Sequence, residues 1–251
     1  MKTEHFAKHN DPGLISRFLR LSEDRRRRMT IEDIRPECRD IHSRIVGLLH
    51  EVYGAQRGMR FSKSIHPDGF EFFASVVQEL AHLKRKINFL EIGSFEGVSM
   101  SVVSALLDAQ GILGRLVSID PYFEDGYQED HPATGSVRKD STETTMSAAL
   151  KLYELLGVDV SLMRVTSDVG LRGLLCADQE FDLIYIDGLH NGMAPTVDFG
   201  LSMGLLAEDG VIILDDWPWP DIIGLKALCD QHMQLIAETP DIAAYRRLPE
   251  R

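Results

Sequence analysis

From residue 87 onward the chain alternates short apolar runs with longer segments of helical period, and that rhythm admits few folds. INFLEIG leads into EGVSMSVVSALLDA, RLVSID precedes TETTMSAALKLYELLG, and VSLMRVT, FDLIYID and GVIILDDW follow in turn. Apolar runs of this length, rich in Ile, Leu, Val and Phe, read as strands buried on both faces, with the segments between them as crossover helices of βα units. Five parallel strands are expected. MQLIAETP and IAAYRRLP then follow with only a Pro-Asp turn signal between them, so they are expected to pair as an antiparallel hairpin at one edge. The fold class is therefore α/β, a mostly parallel seven-stranded sheet finished by a C-terminal antiparallel hairpin.

Residues 1–86 have a different texture. LISRFLRL, IHSRIVGLLHEVY and FEFFASVVQELAHLKR repeat at helical spacing, so this part is expected as a helical extension, with His66 and Asp68 in the loop SIHPDG as a lid over a ligand. The expected division is 1–86 for extension and lid and 87–251 for the ligand-binding domain, a size that allows one α/β core but not two. A formal charge of −12 and a pI near 5.2 argue against a nucleic-acid partner, which needs a basic face. The four arginines at 25–28 are flanked by Glu23, Asp24, Glu32 and Asp33, and read as a solvated helix face or a subunit contact. Cys38, Cys176 and Cys229 form no CxxC pair, which fits a reducing cytosol. With no apolar leader and no run near the roughly 20 apolar residues of a membrane span, the expectation is a cytoplasmic protein without a membrane partner.

The chemistry gathers where the fourth and fifth strands end. FDLIYI is followed by Asp187, with His190 three residues later, and GVIIL is followed by Asp215 and Asp216. All four belong at the carboxyl edge of the sheet, where open parallel sheets bind ligands. Carboxylates brought within about 4 Å repel by roughly 4 kcal/mol per pair at an effective dielectric near 20, so they call for a proton or a cation, and a hard divalent metal is the simpler answer. Consecutive strand residues point to opposite faces, so Asp215 and Asp216 can share one ion only if the strand has ended; Trp217-Pro218-Trp219-Pro220 supports that ending. The two tryptophans are expected either to wall a pocket or to pack against the preceding helix. Asp198, in the next helix, is expected at a solvated position.

Strand one ends in Glu91-Ile-Gly93-Ser94-Phe95-Glu96-Gly97-Val98-Ser99, and a helix begins at once. Gly93 permits a tight turn, Gly97 lets backbone approach a ligand, and the helix start offers free N–H groups to an anion. The spacing lacks the GxGxxG of dinucleotide sites, so a smaller anion such as an amino-acid carboxylate suffices. Asp120, at the end of strand two, is placed to accept from a ribose diol, with a plain turn aspartate before Pro121 as the alternative. Thr166-Ser167-Asp168, after strand three, reads equally as a helix cap or as an adenine contact through the Ser167 N–H and the Asp168 carboxylate.

These motifs together resemble class I S-adenosylmethionine-dependent methyltransferases, and more narrowly the metal-dependent O-methyltransferases of the catechol and the macrocin-mycinamicin sugar kinds, over about residues 87–250. The resemblance implies a Rossmann-like class I methyltransferase fold. It also implies magnesium on Asp187, Asp215 and Asp216, with His190 as general base, histidine in that place being the habit of the sugar branch. Glu91, Gly93, Ser94, Gly97 and Ser99 are implied to hold the methionine end of the cofactor, Asp120 its ribose, Ser167 and Asp168 its adenine, and Asp187 lies beside it. An imidazole, with an unperturbed pKa of about 6.5, can serve as a base near neutrality. The implied acceptor is a small polyhydroxylated molecule, a sugar or secondary metabolite, on an enzyme expected as a homo-oligomer, dimer or tetramer. A cephalosporin hydroxylase-like enzyme and a non-catalytic cofactor-binding subunit are the competing readings. Residues 122–140, with His131 and Pro132, and the first 60 residues match no pattern.

Overall fold

The structure, a computed structural model, describes residues 30–54, 63–124, 127–130, 137–140 and 143–247. LISRFLRL, the four arginines and the His131-Pro132 pair lie outside the described residues. In chain order, helices α1 (Pro36–Tyr53) and α2 (Pro67–Ala81) precede β1 (Ile87–Ile92), α3 (Val98–Ala109) and β2 (Leu113–Ile119). Two short strands, β3 (Tyr127–Asp130) and β4 (Val137–Asp140), lead to α4 (Glu143–Leu156), β5 (Val160–Met163), α5 (Ser167–Cys176) and β6 (Phe181–Ile186). Then come α6 (Ala194–Leu205), β7 (Leu206–Leu214), α7 (Pro220–His232), β8 (Met233–Glu238) and β9 (Ala243–Arg247).

The main sheet has seven strands in the order β5-β2-β1-β6-β7-β9-β8. The first five are parallel, and β9 joins β7 and β8 antiparallel, so the terminal hairpin sits at the edge as expected, with its second strand on the inside. Every residue of β6 is buried, and the run is apolar but for Asp182, which pairs with Lys84 at 2.8 Å. The period-2 alternation of strand side chains divides the core between the two faces. Phe89, Leu183, Tyr185 and Ile213 face α1 to α4, whereas Leu90, Ile184, Ile186 and Ile212 face α5 to α7. Helix α2 anchors the region before β1 to the first face: Phe70, Phe72 and Phe73 are fully buried, and the Phe73 ring meets Tyr185 edge to face at 5.3 Å. Each such burial contributes roughly 1.5–3 kcal/mol.

The chain runs from β1 outward through β2 to β5, then returns to β6 on the other side of β1. That reversal opens a crevice between the carboxyl ends of β1 and β6, the switch point where such sheets bind ligands. The antiparallel pair β3–β4, with Tyr127 opposite Asp140 and Asp130 opposite Val137, occupies the stretch in which the sequence showed no pattern. Its strands, YQED and VRKD, are too short and too charged to show an apolar alternation.

Candidate active site at the sheet edge

One backbone hydrogen bond past the end of each strand sets the floor of the site. Gly93 N–H donates to Ile119 O at 2.9 Å, Asp120 N–H to Met163 O at 3.1 Å, Asp187 N–H to Ile92 O at 2.9 Å, and Asp215 N–H to Ile186 O at 3.0 Å. The chain leaves the sheet directly afterward, so Gly93, Asp120, Asp187 and Asp215 stand in a row along one edge. A cavity of about 620 Å³ lies over that row. Its lining includes Gly93, Ser94, Ser99, Asp120, Ser167, Asp168, Asp187, His190, Asp215 and Asp216, which brings ten of the predicted site residues into one space.

The glycine loop is fitted tightly to its neighbours. Gly93 has φ +86°, and a Cβ built there would lie 2.0 Å from Asp187 O; Gly97 has φ +74°, and a Cβ there would lie 2.6 Å from the Tyr153 hydroxyl. Gly97 is also the N-cap of α3 and offers no side chain to the first-turn N–H groups, leaving them for an anionic ligand. The Ser94 hydroxyl hydrogen-bonds with that of Tyr153 at 2.9 Å. Asp120 ties the loop down: its Oδ2 accepts from the N–H groups of Ser94 at 3.1 Å and Phe95 at 2.9 Å, and its Oδ1 accepts from Tyr122 N–H at 3.0 Å. A carboxylate offers about four acceptor positions, and backbone N–H groups occupy at least three of them here. Asp120 is thus a structural clamp as well as the expected ribose contact.

Glu91 lies under the loop, fully buried, accepting from the hydroxyls of Ser99 and, at 3.2 Å, Ser118. Loss of solvent pushes its pKa up to about 8, with the Asp187 charge adding to the rise and the Ser99 and Ser118 hydroxyls opposing it. Between the ordinary value of 4.5 and about 8 the native protein holds a proton that the unfolded chain has released, so this group makes stability fall as pH rises. Glu91→Gln removes that dependence. Thermal melts of the ligand-free protein at pH 5.5 and 8 are expected to fall less with pH in the variant than in the wild type. Equal slopes would show that Glu91 is not held neutral.

Asp187, His190 and the aspartate pair meet at the far side of the cavity. β7 ends at Leu214, and Asp216 takes φ +46°, a left-handed conformation that turns the chain out of the strand. Asp215 and Asp216 therefore no longer alternate across a pleat, and both line the cavity. His190, 8% exposed, tilts against the Trp219 ring at 4.8 Å. Its Nε2 lies 3.6 Å from Asp187 Oδ1 and 3.7 Å from Asp216 Oδ2, so one ring nitrogen faces both carboxylates. Carboxylate oxygens are the donor type that a hard divalent cation takes. Among the described residues, however, no three His, Cys, Asp or Glu groups are already drawn together as a metal site.

Several other residues fall differently from expectation. Asp198 is 1% exposed, lines the cavity, and has no hydrogen-bond partner of normal geometry on either carboxylate oxygen. It is not the solvated helix residue that the sequence suggested. Burial raises its pKa to about 6, a rise that the neighbouring Ser167 side chain opposes and the Asp168 charge supports. The buried face of α6 is Pro195, Asp198, Ser202 and Leu205, a helical stripe disguised by its two polar members. Thr166 is the N-cap of α5, but its hydroxyl donates to Asp168 Oδ1 at 2.7 Å, so Ser167 and Asp168 form the first turn and both face the cavity. Neither tryptophan is among the lining residues: Trp217 donates through Nε1 to Thr239 O at 3.0 Å, and Trp219 backs His190. From the loop before α2, Ser64 reaches the cavity, and His66 and Asp68 are not in its lining.

A parallel sheet that reverses at β1, a glycine turn into α3, an acidic residue closing β2 and an acidic edge after β6 and β7 define a class I S-adenosylmethionine-dependent methyltransferase. The chain belongs to the family described as "Methyltransferase domain", whose sequence profile matches residues 90–217, just over half of it. Among curated proteins no sequence matches it. Solved structures share the fold. NovP, an O-methyltransferase, superposes with a TM-score of 0.57 at 17% identity, over 83% of this chain and 98% of that one. The O-methyltransferase from Bacillus cereus in complex with SAH gives 0.53 at 17% identity, over 82% and 91%. The SAH-bound methyltransferase PaMTH1 of Podospora anserina gives 0.54 at 13% identity, over 95% and 97%. At these identities the likeness is one of fold, and this chain's own site must carry the chemistry. Among the described residues no helix is long and apolar enough to cross a membrane.

Proposed function

We propose that the protein transfers the methyl group of S-adenosylmethionine to a hydroxyl of a small polyhydroxylated acceptor, a sugar or secondary metabolite, with His190 as general base and a divalent metal at the acidic edge. The observation that carries this reading is the buried imidazole whose Nε2 faces Asp187 and Asp216 on the wall of the cavity. The O-methyltransferases among the structural neighbours support the choice of oxygen as the acceptor atom.

In this reading the free N–H groups after Gly97 take the methionine carboxylate, with Glu91 and Ser99 beside it, Asp120 the ribose, and Ser167 and Asp168 the adenine. The acceptor oxygen attacks the methyl carbon in line with the C–S bond; the O–C bond forms as C–S breaks, and the sulfonium leaves as a neutral thioether. The hydroxyl proton passes to His190 Nε2, and the flanking carboxylates stabilise the imidazolium. Asp187, Asp215 and Asp216 would hold a magnesium ion, which when bound lowers the pKa of a coordinated hydroxyl. Alignment of donor and acceptor in the cavity can supply roughly 7–11 kcal/mol of the barrier.

Chelation tests the metal. Turnover is expected to vanish in excess EDTA and return with added magnesium, and Asp216→Asn is expected to raise the magnesium concentration needed for half-maximal rate by about tenfold or more. Full activity in EDTA would reject the metal while leaving the methyltransferase intact. Mass spectrometry of the product must show one added methylene; an added oxygen would instead indicate a hydroxylase.

A further inference from the structure

The cavity has a charge and a rim that restrict what can enter it. Asp187, Asp215 and Asp216 line its acceptor end, and Glu96, Asp120, Asp168 and Asp198 line the remainder; among the described lining residues the Arg172 guanidinium is the one side chain of permanent positive charge. Asp198 adds weight because it is a buried carboxylate without a hydrogen-bond partner of normal geometry. Even with a divalent cation and the net single positive charge of the methyl donor in place, the carboxylates outnumber the positive charges. A cleft lined by one sign concentrates that sign's potential, drawing cations in and repelling anions.

The same cavity carries three large apolar side chains that remain open to solvent: Phe123 is 46% exposed, Leu189 40% and Met193 69%. Leu189 and Met193 lie on the loop that carries His190, so apolar surface borders the proposed base. Such surface at the mouth of a pocket is what an apolar ligand body covers.

We propose that the acceptor presents its hydroxyls on an apolar, ring-sized body that is neutral or cationic, and that phosphorylated or carboxylated acceptors are excluded. This rests on the O-methyltransferase reading of the same cavity. Three probes share one ring and diol and differ in charge: dopamine, catechol and 3,4-dihydroxybenzoate. Their binding to the full chain with S-adenosylhomocysteine and magnesium chloride is measured by calorimetry at low and high salt. Dopamine is expected to bind about tenfold or more tightly than 3,4-dihydroxybenzoate at low salt, with catechol between, and the gap is expected to close as salt screens the charges. Met193→Lys is expected to move the order several-fold toward the carboxylate. An anion that binds as well as the cation overturns the inference, as does failure of all three to bind. Met193→Lys without effect on the order overturns the placement of the apolar rim beside the acceptor. Methyl transfer is scored separately: binding in the expected order without transfer to any probe counts against the O-methyltransferase reading and leaves the charge selection standing.

Discussion

His190→Ala is expected to lower kcat by about 10²- to 10⁴-fold, the usual contribution of a positioned general base, with little change in affinity for S-adenosylhomocysteine. The expectation comes from its placement: the ring is held by Trp219 on one side and by Asp187 and Asp216 on the other, so removing it deletes the proton acceptor without touching the glycine loop. His190→Gln, which keeps most of the volume and polarity, is expected to be nearly as inactive, because an amide cannot accept the proton at neutral pH. A loss of less than about threefold, far below the usual range for such a base, would remove His190 from the mechanism.

Gly93→Ala is expected to cost about 2–5 kcal/mol of stability and to abolish cofactor binding. Two separate penalties meet there. A φ of +86° disfavours any residue with a Cβ by about 1–2 kcal/mol, and the Cβ would lie 2.0 Å from Asp187 O and 2.9 Å from Gly188 Cα, both backbone atoms that cannot rotate aside. Gly157→Ala is the control. Gly157 has φ +74° with nothing within 4 Å of the added carbon, so it carries only the conformational penalty. Urea midpoints of the two variants should therefore differ clearly, Gly93→Ala being the less stable. Equal midpoints would mean that the close approach of the β1 loop to Asp187 does not hold in solution.

Most of the main sheet was legible because a buried parallel strand is apolar on both faces, as β1, β6 and the end of β7 are, while β2 and the half-exposed edge strand β5 were legible from short apolar runs set between helical segments. The terminal hairpin was legible for a related reason: two strand-like runs with only a turn between them have no room for a crossover helix. The pair β3–β4 was not legible, since strands of four mostly polar residues carry no periodic signal. At the site, the row of residues one position past each strand follows from strand length alone. The burial of Asp198 does not, because a polar residue within a buried helical stripe looks like a surface residue until the helix is laid on the sheet.

The order of apolar and helical segments in this sequence determined the α/β fold, the carboxyl edge as the working edge, and ten of the residues that line it, because these depend on periodicities within a few neighbouring positions. Tertiary structure alone decided how those residues meet. The approach of His190 Nε2 to Asp216 and the capture of the Asp120 carboxylate by the Ser94 and Phe95 N–H groups join segments distant in the chain. Such distances are set by packing and by the backbone hydrogen bonds past each strand end, which no local pattern encodes.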